Sequence, residues 1–203
     1  MITRITQRIY LGEFADVVDR APSPTDSGNG GHMRIRSEAL DSFGITRILN
    51  IMEDGIEVTV EGQLMINQLK YSYLWSPVPV DCAGCESYAS SSCNDCYKKP
   101  GLKNSKFIKG LDIASKKLFI ILHRDKKNIE RVLVHCTAGI DRSPFVVAKY
   151  LSDNVKIIPK ASNDPTKAID FHDVGSMESA YAFIKLSRPS ICEHPEWVWW
   201  ENE

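Results

Sequence analysis

The chain has 203 residues, 43% of them apolar and 25% charged, and its 25 lysines and arginines against 26 aspartates and glutamates leave a formal charge of −1. That length fits one ordinary domain, and the balance excludes both a disordered chain and a protein built around nucleic-acid phosphates. The longest clean apolar run, Leu118 to Leu122, falls far short of the roughly 20 residues a membrane span needs. No apolar leader follows Arg4 and Arg8, and no prenylation cysteine stands near Glu203, so a cytoplasmic protein without a membrane span is expected.

In chain order, Arg8 to Gly12 reads as a short strand, and the Pro-, Gly- and Ser-rich stretch from Ala21 to Gly31 opens a loop expected over residues 21–35. Ser37, Ala39, Leu40 and Phe43 ahead of Gly44 predict a two-turn helix with a polar cap and a glycine stop. Ile45 to Met52 follows as a strand apolar on both faces, as expected inside a parallel sheet. Tyr71 to Val80 starts as a strand, but Pro77 and Pro79 remove ladder donors and leave its far half as loop.

Phe107, Leu111, Ala114, Leu118 and Leu122 recur at helical steps and predict the best amphipathic helix of the chain. Arg131 to His135 is a strand with an apolar middle, followed after a turn by a helix over Arg142 to Leu151, where Pro144 sits in the first turn and costs no hydrogen bond. A short helix is expected from Asp164-Pro165 and a last one from Ser176 to Leu186, ending before Arg188-Pro189. Strands alternating with helices imply an α/β fold with a central, mainly parallel sheet flanked by helices.

The segment His135-Cys136-Thr137-Ala138-Gly139-Ile140-Asp141-Arg142-Ser143 lies where the buried strand turns into a helix. Backbone N–H groups at a helix start lack internal partners and the helix dipole adds positive charge, so the loop suits an anion with several oxygens, such as a phosphate. A cysteine at its first position meets the same donors and the nearby Arg142, both of which favour the thiolate, the nucleophilic form. The five residues between Cys136 and Arg142 let the guanidinium return over the loop to grip two phosphoryl oxygens. Ser143 is placed to donate its hydroxyl to the sulfur.

Cys136 to Ser143 resembles the cysteine, five residues, arginine, serine or threonine signature of the protein tyrosine phosphatases, and the chain looks most like their dual-specificity branch. The likeness runs on through Ile9 to Gly12, Gly44 to Asn50, Pro77 to Asp81, Val147 to Leu151 and Ala180 to Ile191. It implies a phosphatase-like α/β fold over residues 1–203, Cys136 as nucleophile, and Arg142 with the backbone of Thr137, Ala138, Gly139, Ile140 and Asp141 as the phosphate cradle. It further implies Asp81 as the carboxyl group that protonates the leaving oxygen and later activates water, with Asp95 as its rival, and no cofactor for catalysis. Phosphotyrosine and phosphoserine or phosphothreonine in proteins are the implied substrates. The same chemistry on RNA 5′ phosphates or phosphoinositides, and a scaffold that binds phosphate without turnover, are the alternatives. The oligomeric state stays open.

Asp81 precedes Cys136 by 55 positions, and a cysteine-rich insert over residues 82–103 accounts for the excess. Its pairs Cys82/Cys85 and Cys93/Cys96 have zinc-ligand spacing, so a structural zinc competes with two disulfides and with four reduced thiols. Asp141 departs from the usual neutral residue of such loops and either steadies Arg142 or repels a dianion. Residues 98–131 hold eleven basic side chains against Asp112, Asp125 and Glu130, a surplus that a solvated helix face explains more simply than a docking patch for RNA or inositol lipid. Trp197, Trp199 and Trp200 are expected in packing, and Cys192 as a small buried residue.

Overall fold

The computed structural model describes residues 1–21, 32–52, 70–78, 106–124, 127, 129–140, 142–160 and 170–191. The elements begin with β1 (Thr3–Arg4), β2 (Ile9–Glu13), α1 (Phe14–Val17), β3 (Val18–Ala21), β4 (His32–Ile35), α2 (Ser37–Ser42), β5 (Arg47–Asn50) and β6 (Ser72–Trp75). There follow α3 (Lys106–Arg124), β7 (Val132–Cys136), α4 (Arg142–Asn154), β8 (Ile157–Pro159), β9 (Phe171–Asp173) and α5 (Met177–Ser187). A five-stranded sheet runs in the order β1-β2-β7-β5-β6; only the β1–β2 pair is antiparallel, so the sheet is mainly parallel as expected.

The two-residue period of the strands sorts their side chains onto two faces. Ile9 and Leu11 of β2, Leu49 of β5, and Val132, Val134 and Cys136 of β7 join one apolar cluster with Leu111, Ala114 and Leu118 of α3, Phe145 and Leu151 of α4, and Met177 and Ile184 of α5. The alternate residues Tyr10, Ile48 and Leu133 face a smaller cluster with Val17 at the end of α1, Leu40 of α2, and Tyr71. Helices therefore cover both faces, and β7, which ends in the cysteine, is buried along its whole length.

The expected strands and long helices lie within a few residues of their observed bounds. Residues 32–35, expected inside a loop, instead form β4, which pairs antiparallel with β3; Val18 opposite Ile35 packs on the smaller cluster, and that apolar contact holds the hairpin. Ser37, expected to cap α2, lies inside it, and Arg36 occupies the cap position without a side-chain bond. Gly44 does end that turn, at φ +63. The hairpin of β8 and β9 has no sequence signal strong enough to predict, and the helix expected at Asp164 lies outside the described residues. No described helix is long and apolar enough to cross a membrane.

Leu118 is fully buried between sheet and helices, whereas Ile120, two residues on, is 44% exposed. Leu118→Ala is expected to lower unfolding free energy by about 2 to 5 kcal/mol and Ile120→Ala by less than about 1 kcal/mol, read by urea denaturation. Similar losses from the two variants would contradict this assignment of the core face.

Candidate active site

The site is built from the end of β7, the loop after it, and the start of α4. In register, Leu11, Gly12 and Glu13 of β2 lie beside Val134, His135 and Cys136, and Asn50 of β5 lies beside His135 on the other flank. Beyond the paired residues the Phe14 N–H donates to the Thr137 carbonyl at 3.0 Å, which carries the loop onto the end of β2.

Gly139 makes the loop's sharp return. Its φ is +67, and a Cβ there would lie 2.4 Å from the Gly12 carbonyl oxygen, so both its conformation and its surroundings require glycine. That return aims the Gly139 N–H at the Cys136 sulfur, 3.2 Å away. The Ser143 hydroxyl, fully buried in the first turn of α4, lies 3.3 Å from the same sulfur. Cys136 is a free thiol only 2% exposed. These two contacts give the buried sulfur polar neighbours at a helix start, a setting unlike that of a cysteine packed only among apolar side chains.

Arg142, 7% exposed, turns back across the loop: Nη2 donates to Thr137 Oγ1 at 3.0 Å and Nη1 to the Val78 carbonyl at 3.5 Å. Val78 is itself tied to the sheet by its N–H bond to the Ile51 carbonyl. The guanidinium thus stands over the loop with neutral acceptors on either side, an arrangement that orients its fork without cancelling its charge.

His135 points to the opposite face of the sheet from the sulfur and is fully buried. Neither nitrogen of its ring has a hydrogen-bond partner among the described residues. Burial drives its pKa from 6.5 down to about 4, and the Cys136 peptide and the Asp16 carboxylate, which act the other way, offset only part of this.

The structure brings Cys136, Thr137, Gly139, Arg142 and Ser143 together, with Ala138 and Ile140 on the same loop. Asp81, its rival Asp95 and Asp141 lie outside the described residues, as do Cys82, Cys85, Cys93, Cys96 and Cys192 and the tryptophans 197, 199 and 200. Among the described residues no cluster of histidine, cysteine and carboxylate side chains could hold a metal. Three features escape the sequence reading: the Thr137 hydroxyl and the Val78 carbonyl as supports of Arg142, and Gly12 as the surface on which Gly139 rests. Only Gly12, a glycine at a strand end, carries a local signal.

Compared with solved structures, the chain is similar in fold to tyrosine phosphatases and dual-specificity phosphatases. The PTP-2 phosphatase of Cydia pomonella superposes with a TM-score of 0.54 at 14% identity, over 97% of this chain and 85% of that one. Human DUSP28 superposes with a TM-score of 0.52 at 16% identity, over 98% and 88%. The human tyrosine phosphatase-like serine/threonine/tyrosine-interacting protein gives 0.52 at 16%, over 97% and 90%. No family model and no curated protein matches the sequence.

The buried histidine makes stability depend on pH. The folded chain takes up a proton at His135 only near pH 4, the unfolded chain near 6.5, so between those values the unfolded state binds more protons and stability falls as pH falls. From pH 7 to pH 5 this group is expected to remove about 2 kcal/mol, a loss missing from His135→Leu. Urea titrations of both proteins at both pH values measure it, and parallel losses in the two would rule it out.

Proposed function

We propose that the protein is a cysteine-dependent phosphatase that hydrolyses phosphomonoesters through a cysteinyl-phosphate intermediate, with phosphotyrosine and phosphoserine or phosphothreonine of proteins as its substrates. The observation that carries the reading is the convergence on one sulfur of the Gly139 N–H and the Ser143 hydroxyl, with the buried guanidinium of Arg142 folded over the same loop. The fold shared with the dual-specificity phosphatases supports it.

In this reading the Cys136 thiolate attacks phosphorus while Arg142 and the backbone N–H groups of residues 137–142 hold the non-bridging oxygens. The phosphorus–oxygen bond of the ester breaks, and the Asp81 carboxyl gives its proton to the departing oxygen. Water then attacks the cysteinyl phosphate, the Asp81 carboxylate takes a proton from it, and the phosphorus–sulfur bond breaks with the Ser143 hydroxyl donating to the returning thiolate. The chain leading to Asp81 supports that assignment: Val78, three positions earlier, has its carbonyl bonded to Arg142.

Turnover of p-nitrophenyl phosphate tests the reading. Cys136→Ser is expected to abolish turnover while still binding inorganic phosphate, and Asp81→Asn to slow it by about 10² to 10⁴. A wild-type protein that binds phosphate without hydrolysing the ester would replace the enzyme with a phosphate-binding module.

The reading extends to a structural zinc on Cys82, Cys85, Cys93 and Cys96, supported by their paired spacing. Metal analysis of freshly purified protein is expected to return about one zinc per chain, lost when the four are replaced by serine. Zinc-free wild type would leave disulfides or free thiols.

A further inference from the structure

Behind the phosphate loop, on the side away from Arg142's acceptors, stands a second buried arginine to which the mechanism gives no part. Arg188 follows α5, whose buried residues Met177, Ala180, Tyr181 and Ile184 step at helical spacing; Arg188, four residues beyond Ile184, continues that stripe. The Arg188 N–H closes the helix on the Ile184 carbonyl, and the side chain is 6% exposed.

Its guanidinium joins three separate parts of the chain. Nη1 donates to the Met1 carbonyl at 2.6 Å and to Thr3 Oγ1 at 3.1 Å beside β1, and reaches the Leu11 carbonyl of β2 at 3.5 Å. Nη2 lies against Gly139, 2.9 Å from where a Cβ on that residue would stand. Among the described residues Nε is buried with no hydrogen-bond partner, and no carboxylate forms an ion pair with the side chain. A buried guanidinium among neutral oxygens is costly unless something negative comes near. Gly139 is the residue whose N–H points at the Cys136 sulfur.

We propose that Arg188 is a positioning residue for the phosphate loop: anchored on β1 and β2, it seats Gly139 so that its N–H faces the nucleophile, and its charge favours an anion bound in the loop. This rests on the loop being a phosphate site, as the proposed function has it, and extends that site to a residue outside the signature. Arg188 acts through Gly139 and has no contact with the phosphoryl group.

The test compares wild type, Arg188→Met, Arg188→Lys and Thr3→Val by three readouts: the dissociation constant of inorganic phosphate by calorimetry, kcat and KM on p-nitrophenyl phosphate, and the thermal midpoint. Arg188→Met is expected to weaken phosphate binding about tenfold and to lower kcat/KM by about 10 to 100-fold, the scale on which misplaced catalytic geometry acts. Arg188→Lys, which keeps the charge, is expected to recover most of the phosphate affinity. Thr3→Val, which removes one anchor at a partly exposed strand, is expected to weaken phosphate about two- to threefold, on the scale of one hydrogen bond.

Lower thermal midpoints with phosphate affinity unchanged within twofold would make Arg188 merely structural and overturn the proposal. If Arg188→Met does not fold, the lysine and Thr3 variants decide, and unchanged affinity in Thr3→Val together with loss in the lysine variant also overturns it. Wild type that binds phosphate without hydrolysing the ester ends the phosphatase reading alone, and the affinity comparison still judges Arg188. Wild type that binds no phosphate ends both.

Discussion

The site depends on two backbones passing in contact where Gly139 crosses the end of β2 at Gly12. A single methyl group at Gly139 would fall 2.4 Å from the Gly12 carbonyl oxygen, well inside any tolerable contact. Because nothing separates the two backbones, the loop after β7 folds back tightly enough for an N–H three residues beyond the cysteine to reach its sulfur. Gly12 is constrained as well: a Cβ there would stand 3.0 Å from the Leu133 side chain and 3.2 Å from the Asp16 carboxylate. The surroundings of Cys136 are thus fixed from below by a parallel strand pair as well as by the loop's own residues.

Parallel pairing explains how so short a loop is held. β2 and β5 flank β7 in register up to its last residues, so the sheet delivers Cys136 to its edge at a set height and direction. The Phe14 N–H then extends the β2 contact by one more bond, to the Thr137 carbonyl. On the far side α4 begins at once, and Ser143 is buried in its first turn beside the sulfur. Three apolar helices press on that face of the sheet, and Phe145, stacked on Tyr181 at a centroid distance of 4.8 Å, locks the start of α4 against α5. The turn that carries Cys136 therefore draws its rigidity from the main core.

How much of this was legible in the sequence follows from how local each cause is. The strands β2, β5 and β7 and the helix α3 carry their own burial pattern, and the cysteine, arginine and serine fall within one strand–loop–helix turn, so their nearness is readable from the sequence even though distant residues hold the turn in place. β1 is two residues long and exists through its pairing with β2, and the β3–β4 hairpin depends on Val18 and Ile35 meeting a cluster drawn from other elements. The supports of Arg142 and Gly139 were hidden for the same reason: Val78, Gly12 and Arg188 reach the loop only after the chain has folded. Arg188 left one trace, an arginine continuing a buried helical stripe, which periodicity alone reads as a helix end.

The charge of the site follows from what surrounds each ionisable group. Both guanidiniums are buried, yet among the described residues each is held by hydroxyl and carbonyl oxygens and by no carboxylate. Burying such cations is unfavourable when no anion is near. A negative charge beside the loop would offset part of that cost. His135 does not share this role, because burial holds it neutral down to about pH 4. Positive charge around the Cys136 loop then comes from the two arginines and the backbone dipoles at the start of α4. In the proposed hydrolysis the proton for the leaving oxygen is assigned to a carboxyl group outside the loop, which is why the chain running on from Val78 toward Asp81 matters to that reading.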